Sequence, residues 1–321
     1  MENYDVAIIG GGPVGIFTAY YAGLRNLKVA LIESLEVLGG QASALYPQKR
    51  ILDIAGFYEI GGQELVNDSI KQMNRFEVDV LLDTTVENVQ NVGENDFLLT
   101  TNKADLHAKT VILATGVGSF TPRPLVLDNA DELENVDFMI KDVEDYRDKT
   151  VLVLGGGDSA VDFSNMLDPI AEQVTLVHRR DQFRALERSV IELQNSGVDV
   201  KTPLQITAAE NTPEGQLLVT LSDESQMNVD KLLVAYGFKS SYSIIDGWDI
   251  QPEKFGPRFL TDSRQETSVP GVFAVGDAAG YPGKADLIAT GYGEAPTAVN
   301  EAINIFDPDR GGPAHSTSLN V

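Results

Sequence analysis

Three glycines near the start of the chain have the spacing of a dinucleotide-binding loop. Gly10, Gly12 and Gly15 follow the largely apolar predicted strand 4–9 and precede a stretch with helical character that extends to about Leu24. In such a loop the first glycine permits a tight turn, the second lets the backbone approach a pyrophosphate, and the third lets helix and strand pack closely. The phosphate charge then lies at the amino terminus of the helix, among N–H groups that lack partners.

A carboxylate at the end of the next predicted strand strengthens this interpretation. The predicted strand 28–32 is apolar from Val29 onward, and Glu33 follows it directly. At that position a carboxylate can accept hydrogen bonds from the hydroxyl groups of a ribose. The alternative is a glycine turn followed by a solvated glutamate.

A second glycine loop lies at 155–160. The predicted strand after it ends in cationic side chains instead of an acid. Guanidinium groups bind a ribose phosphate through paired hydrogen bonds, whereas a carboxylate would repel it. We therefore expect NADPH rather than NADH at this loop, the alternative being a salt-bridged surface patch. Alanine at the third motif position is tolerated. The predicted NADP-binding residues are Gly155, Gly157, Asp158, Ser159, Ala160, His178, Arg179, Arg180 and Arg184.

The two loops belong to units of equal length. In each unit 23 positions separate the first glycine from the residue after the second strand, Gly10 from Glu33 and Gly155 from His178. Each unit is the βαβ beginning that a parallel sheet requires. The sequence thus predicts an α/β fold with two Rossmann-like dinucleotide-binding domains. One acidic and one cationic site favour FAD in the first domain and NADPH in the second, with hydride transfer between them.

Further short apolar runs are followed by glycine, as buried strands are where they approach a ligand. One such run, 272–275, is followed by Gly276 and Asp277. The carboxylate of Asp277 could bind the ribityl chain of a flavin, cap a helix, or do both. Residues 78–110 and 198–235 alternate apolar and polar positions, which favours antiparallel β segments over crossovers.

The composition excludes several other classes of function. The 321 residues suffice for two domains, and the absence of cysteine excludes disulfide exchange and thiolate metal sites. A net charge of −24 argues against nucleic acid and anionic membranes as partners. The three histidines are far apart, so we expect no metal site. With no secretory signal and no apolar run of membrane-spanning length, we predict a cytoplasmic protein.

Taken in order, the motifs resemble those of the thioredoxin-reductase-like flavoproteins over nearly the whole chain. The motifs concerned are residues 10–15, Glu33, 39–41, 114–116, 155–160, 178–180 and 271–279. The resemblance implies three-layer domains, with an NADPH-binding domain inserted into a discontinuous FAD-binding domain. The FAD domain would comprise 1–117 and 246–321, and the NADPH domain 118–245. Hinge motion near 115–120 and 240–248 would bring the nicotinamide onto the flavin.

The absence of cysteine directs the resemblance to one branch of these flavoproteins. Where thioredoxin reductases carry a CxxC pair, this chain has Phe-Met-Ile-Lys at 138–141. It therefore resembles the thioredoxin-reductase-like ferredoxin–NADP⁺ reductases. That resemblance implies a homodimer in which Tyr46 stacks on one face of the isoalloxazine and His315 covers the other. The FAD-binding residues predicted in all are Gly10, Gly12, Pro13, Gly15, Glu33, Gln41, Tyr46, Val86, Phe120, Asp277 and Thr317. For Val86 and Phe120 the alternative is a place in the core.

The activity predicted is electron transfer between NADPH and ferredoxin or flavodoxin through FAD. No side-chain acid or base is required, because positioning of the two rings supplies the catalysis. Two alternatives remain open: an NAD(P)H oxidase or quinone or ferric reductase, and a non-catalytic sensor of flavin and NADP. An acidic carrier is repelled by a charge of −24, so its docking needs a local basic surface. The candidates are Lys49, Arg50, Lys71 and Arg75.

Overall fold

The computed structural model describes residues 2–241 and 245–312, without the side chains at 119–121 and 239–241. The chain forms two compact units. The first comprises Met1–Ala44, Arg50–Ser119 and Ser240–Val321, and the second comprises Leu45–Lys49 and Phe120–Lys239. The predicted fold class, with one domain interrupted by another, is confirmed.

The helices and strands follow one another in three stretches. The chain begins with β1 (Glu2–Ile9), α1 (Pro13–Leu24), β2 (Val29–Ile32), α2 (Gly40–Ala44), β3 (Arg50–Ile51), β4 (Ile60–Gly61), α3 (Gly62–Met73), β5 (Asp79–Leu81), β6 (Val86–Gly93), β7 (Asp96–Thr101) and β8 (Leu106–Leu113). It continues with β9 (Ser119–Pro122), β10 (Val136–Asp137), β11 (Thr150–Leu154), α4 (Asp158–Leu167), β12 (Gln173–Val177), α5 (Glu187–Gln194), β13 (Asp199–Lys201), β14 (Ile206–Asn211), β15 (Leu217–Leu221), β16 (Gln226–Val229), β17 (Lys231–Val234) and β18 (Phe238–Ser241). It ends with β19 (Lys254–Phe255), β20 (Arg258–Leu260), β21 (Val272–Ala274), β22 (Ala279–Gly280) and α6 (Ile288–Phe306). Short 3₁₀ turns occupy Ala130–Glu132, Val143–Tyr146, Ile245–Gly247, Gly276–Ala278 and Pro308–Arg310.

Five parallel strands form the centre of the main sheet in the first unit. Their order is β5–β2–β1–β8–β21, and β7 and β6 extend the sheet from β8 in antiparallel fashion. In the register, Leu113 pairs with both Ile9 and Ala274, and Ile9 pairs with Ile32. The carboxyl ends of four strands therefore meet at one edge, where ligands bind in open α/β sheets.

Helix α1 packs closely on this sheet because its buried side is made largely of small residues. Gly15, Ala19, Ala22 and Gly23 are among its buried residues. A Cβ on Gly15 would lie 1.9 Å from the carbonyl oxygen of Gly10, so only glycine permits this approach. The helix consequently begins at Pro13, four positions after β1 ends at Ile9.

The second unit contains its own parallel sheet and a smaller antiparallel one. The parallel strands are ordered β10–β17–β11–β12–β13, and β14–β15–β16 form the antiparallel sheet. Leu154 pairs with Val177 and Val234, so three strands again end at one edge. The predicted strands and helices of both glycine units are confirmed as β1–α1–β2 and β11–α4–β12.

The prediction of antiparallel strands is wrong in part. Strand β5 lies in the segment 78–110 but pairs with β2 in parallel. In the segment 198–235, β13 pairs with β12 and β17 pairs with β11, both in parallel. For β5 and β13 the physical reason is that helices α3 and α5 precede these strands and return the chain to the same end of the sheet. Among the described residues no helix is both long and apolar enough to cross a membrane.

Candidate dinucleotide sites

The first glycine loop is a tight turn at the carboxyl end of β1. Gly10 has a φ of +109°, and a Cβ there would lie 2.3 Å from the carbonyl oxygen of Ala114. The Gly10 N–H donates to the carbonyl of Ile32 at 2.8 Å. The loop is therefore held between β2 and the end of β8, and larger residues do not fit at its first position.

Gly12 faces open space at the amino terminus of α1. No atom lies within 4 Å of the position that a Cβ would take on Gly12. Gly12 is the N-cap, no side chain caps the helix, and Pro13 takes one of the first helical positions. The free N–H groups of the first turn and the space above Gly12 form a cradle for a pyrophosphate.

The carboxylate of Glu33 is buried beside this loop. Oε2 accepts the Gly11 N–H at 2.7 Å, Oε1 accepts the Leu35 N–H at 2.9 Å, and the residue is 7% exposed. Oε1 also accepts the Ser34 hydroxyl at 3.2 Å, whereas Oε2 retains a second lone-pair direction. The group is thus oriented by the backbone and can accept hydrogen bonds from a ribose. The sequence did not single out Gly11, which supplies one of these donors.

Two further segments reach the same edge of the sheet. A Cβ on Gly40, at the start of α2, would lie 3.0 Å from the Cα of Gly12. Gln41 Nε2 lies 3.8 Å from the Cβ position of Gly116. Within the described residues, the buried hydroxyl of Thr115 has no hydrogen-bond partner. An unpartnered buried hydroxyl next to an open cradle fits a polar ligand such as FAD.

Asp277 lies in the 3₁₀ turn that follows β21. The Val275 N–H donates to the Leu113 carbonyl at 3.0 Å, which attaches this turn to the end of β8. Gly276 has a φ of +62°, and a Cβ there would lie 3.2 Å from the Cβ of Val14 in α1. The structure therefore brings Asp277 to the glycine loop. Burial raises the pKa of its carboxyl, and Arg258 opposes this increase.

The remaining predicted FAD contacts lie in the hydrophobic core, in the second unit or outside the described side chains. Val86 is 4% exposed and its side chain belongs to the hydrophobic core, the alternative left open for it. Phe120 lies in β9, and its side chain is outside the described part of the chain. His315 and Thr317 lie outside the described residues. Tyr46 belongs to the segment Leu45–Lys49 of the second unit, where the Lys49 ammonium is 5.9 Å from its ring centroid.

The second glycine loop is closed by His178. A Cβ on Gly155 would lie 2.4 Å from the Ala235 carbonyl oxygen, and one on Gly156 would lie 2.3 Å from the His178 ring. The ring stacks on Phe183 with centroids 5.5 Å apart. Burial lowers the pKa of His178, and the three arginines nearby lower it further. The sequence singled out His178 but not Gly156, whose lack of a side chain accommodates the ring.

Two hydrogen bonds attach the arginine segment to this loop. The Arg184 N–H donates to the Gly156 carbonyl at 2.7 Å, and the Leu186 N–H donates to Asp158 Oδ1 at 3.0 Å. Arg179, Arg180 and Arg184 are exposed and make no ion pair with any described residue. Their charges are therefore available to a ligand, such as a ribose phosphate. Ser159 is half-buried in the first turn of α4, and Ala160 is fully buried.

The described residues contain no group of three or more His, Asp or Glu side chains that could hold a metal ion.

Two parallel sheets, each with a glycine loop at the carboxyl ends of its strands, define the class of double dinucleotide-binding proteins. Residues 4–302 match the family model described as pyridine nucleotide-disulphide oxidoreductase. The chain belongs to this family, and the predicted cofactors, FAD and NADPH, are confirmed at the level of the family.

Similar proteins extend the comparison over the whole chain. A ferredoxin–NADP reductase of Leuconostoc mesenteroides is 47% identical, over 99% of this chain and 97% of its own length. One of Streptococcus gordonii is 48% identical, over 99% of each. The T. acidophilum thioredoxin reductase, 22% identical, has the same fold with a TM-score of 0.79, covering 97% of this chain and 100% of its own. The resemblance to cysteine-free relatives of thioredoxin reductase is thus confirmed.

Proposed function

We propose that this protein transfers electrons between NADPH and a ferredoxin by way of FAD. The observation that carries the proposal is the contrast between the two loops. A buried carboxylate, Glu33, lies beside the first loop, and three exposed arginines follow the second. A chain without cysteine has no dithiol of its own with which to reduce a disulfide, and its curated relatives are ferredoxin–NADP reductases. Together these features favour ferredoxin over a disulfide as the acceptor.

The chain's own groups supply binding and orientation. In this proposal the first turn of α1 holds the pyrophosphate of FAD, Glu33 orients the adenosine ribose, and Asp277 binds the ribityl chain. Arg179, Arg180 and Arg184 hold the ribose phosphate of NADPH. FAD, when bound, supplies the chemistry that links a two-electron donor to a one-electron acceptor.

Some parts of the proposal rest on the family resemblance alone. We assign FAD to 1–117 and 246–321 and NADPH to 118–245, with hinge motion near 115–120 and 240–248. We also assign Tyr46 and His315 to the two faces of the flavin and Gln41, Phe120 and Thr317 to FAD contacts. A homodimer in the cytoplasm, with flavodoxin as a second carrier, completes this part of the proposal.

Ion pairs change the ranking of the four residues considered for docking a ferredoxin. Lys49 pairs with Asp162 at 2.6 Å, Arg50 with Glu59 at 3.5 Å, and Lys71 with Asp68 at 2.9 Å. These acidic partners reduce the positive field that an acidic ferredoxin would encounter. Arg75 is exposed and makes no ion pair with a described residue. It is therefore the strongest of the four candidates.

One anaerobic titration tests the proposal. NADPH should bleach the flavin absorbance, NADH should do so far less, and oxidised ferredoxin should then restore the absorbance faster than a quinone or oxygen does. A ferredoxin rate no higher than the oxygen rate would instead support the small-molecule reductase. Binding of both nucleotides without bleaching would support the sensor.

A further inference from the structure

A buried ion pair lies behind the turn that carries Asp277. The side chains of Lys284 and Glu294 form this pair and are 3% and 5% exposed. Glu294 also accepts the Tyr281 hydroxyl at 2.6 Å and the Gly276 N–H at 2.7 Å. The carboxylate therefore has three donors, one of which is a backbone group of the Gly276–Ala278 turn.

The pair is expensive to bury and is tied to one backbone position. Desolvation of two charges often cancels their attraction, so a buried pair is weak evidence for a purely stabilising role. The turn that this pair holds is tightly packed. A Cβ on Gly291 in α6 would lie 2.5 Å from Val14 Cγ2 and 3.0 Å from the Gly276 Cα. A displacement of the Glu294 carboxylate would deprive the Gly276 N–H of its acceptor in this tightly packed turn.

The two charges also act on Asp277. Lys284 favours the ionised form of the Asp277 carboxyl, and Glu294 opposes it, so their contributions to its pKa have opposite sign. A second pair, Arg258 with Asp286, acts on the same carboxyl in the same opposed way, with Arg258 Nη2 2.8 Å from Asp286 Oδ2. The field at Asp277 thus depends on the balance between neighbouring opposite charges.

We infer that Lys284 and Glu294 are positioning residues for the flavin, fixing the Asp277 turn and balancing the charge beside the cofactor. The inference rests on the proposed placement of FAD at this turn. Reduction adds negative charge to a flavin. Loss of Lys284 therefore disfavours reduction, loss of the Glu294 charge favours it, and loss of both restores the balance.

The midpoint potential of the flavin in the holoenzyme tests the charge balance. We expect K284M to lower the potential, E294Q to raise it, and the double variant K284M/E294Q to return it toward the wild-type value. K284R, which keeps the charge, should resemble the wild type. Shifts of the two single variants in the same direction, or no shift in either, would overturn the inference, because loss of structure alone does not produce opposite signs.

FAD affinity supplies the second measurement. Serial dilution of the holoenzyme releases fluorescent flavin and yields the dissociation constant. K284M leaves a buried carboxylate without its cation and should weaken FAD binding roughly tenfold. A less buried Lys–Asp pair in the second unit serves as a control. There Lys231 pairs with Asp137 at 3.1 Å beside Tyr146, and K231M should change neither potential nor affinity.

D277N separates this inference from the proposed site. If D277N leaves both the FAD dissociation constant and the potential unchanged, the proposed flavin site is wrong and the inference is overturned with it. If D277N weakens FAD binding while the charge variants shift nothing, the site stands and only the inference is wrong. Thermal unfolding of each variant confirms that the protein is folded.

Discussion

The carboxylate of Glu33 accepts the backbone N–H of Gly11 at 2.7 Å, across a loop whose next residue caps α1. The residue proposed to bind the ribose thus also holds the loop proposed to bind the pyrophosphate. Because the carboxylate is buried, loss of this acceptor would leave the Gly11 N–H without a partner at a cost in free energy of unfolding.

Glu33→Ala should weaken FAD binding and the fold together. The Gly11 N–H would lose its buried acceptor, which costs about 1–3 kcal/mol of unfolding free energy. FAD affinity should fall about tenfold or more through the loss of the ribose acceptor. Urea denaturation and flavin release on dilution measure the two effects. Glu36→Ala, at an exposed position, is the control and should change neither.

Gly12→Ala and Gly10→Ala should separate ligand binding from folding. A Cβ on Gly12 meets no atom within 4 Å, so its variant should fold within about 0.5 kcal/mol of the wild type. The same Cβ fills the proposed pyrophosphate cradle, and FAD affinity should drop. Gly10→Ala meets the Ala114 carbonyl and should destabilise the protein itself. Equal stability losses in both variants would contradict this distinction.

Arg179→Ala/Arg180→Ala should lower the preference for NADPH over NADH. Each hydrogen bond from a guanidinium group to the ribose phosphate contributes about 1–3 kcal/mol to binding, so kcat/KM for NADPH should fall at least several-fold while that for NADH changes little. Steady-state rates with both nucleotides measure the ratio. Arg188→Ala, which removes an exposed arginine of α5, is the control. An unchanged ratio would place the ribose phosphate elsewhere.

His178 should make the protein less stable under mildly acidic conditions. Its pKa in the folded state is lowered, chiefly by burial, so the unfolded chain takes up a proton at a higher pH than the folded chain does. The unfolding free energy should therefore fall as the pH decreases below about 6.5. His178→Gln should lose that part of the pH dependence, as measured by urea denaturation at pH 5 to 8. Parallel curves for both proteins would contradict this expectation.

Arg75→Glu should impair ferredoxin turnover more than Lys71→Glu does. Arg75 makes no ion pair with a described residue, whereas Lys71 pairs with Asp68 at 2.9 Å. Reversal of the unpaired charge should raise the KM for ferredoxin several-fold at low salt, and the difference should vanish at high salt. Diaphorase activity with a small acceptor, which needs no docking, should stay constant. Equal KM values for the two variants would exclude Arg75 as a docking residue.

The docking candidates show that the sequence does not determine which charged side chains are paired. Lys49 and Arg50 stand close to Tyr46 in the sequence and suggested a basic patch. Their partners, Asp162 and Glu59, lie 113 and 9 positions further on, and only folding brings them within ion-pair distance. The net field of a patch depends on those partners.

Local spacing by itself determined the two βαβ units and their glycine loops. Glycine, strand and helix follow one another within about 25 residues in such a unit, so the pattern encodes its own geometry. The contrast between Glu33 and the arginines at 179, 180 and 184 was visible for the same reason. So was the exclusion of disulfide chemistry, which needs only the absence of cysteine.

Only the tertiary structure decided which distant groups share an environment. Glu294 looks like an ordinary helical acid in the sequence, and Lys284 like a loop cation. Their burial and their link to Gly276 arise because α6, β21 and the first turn of α1 converge. The close fit of His178 over Gly156 arises in the same way. Burial and long-range pairing are set by packing between segments, and no local pattern records them.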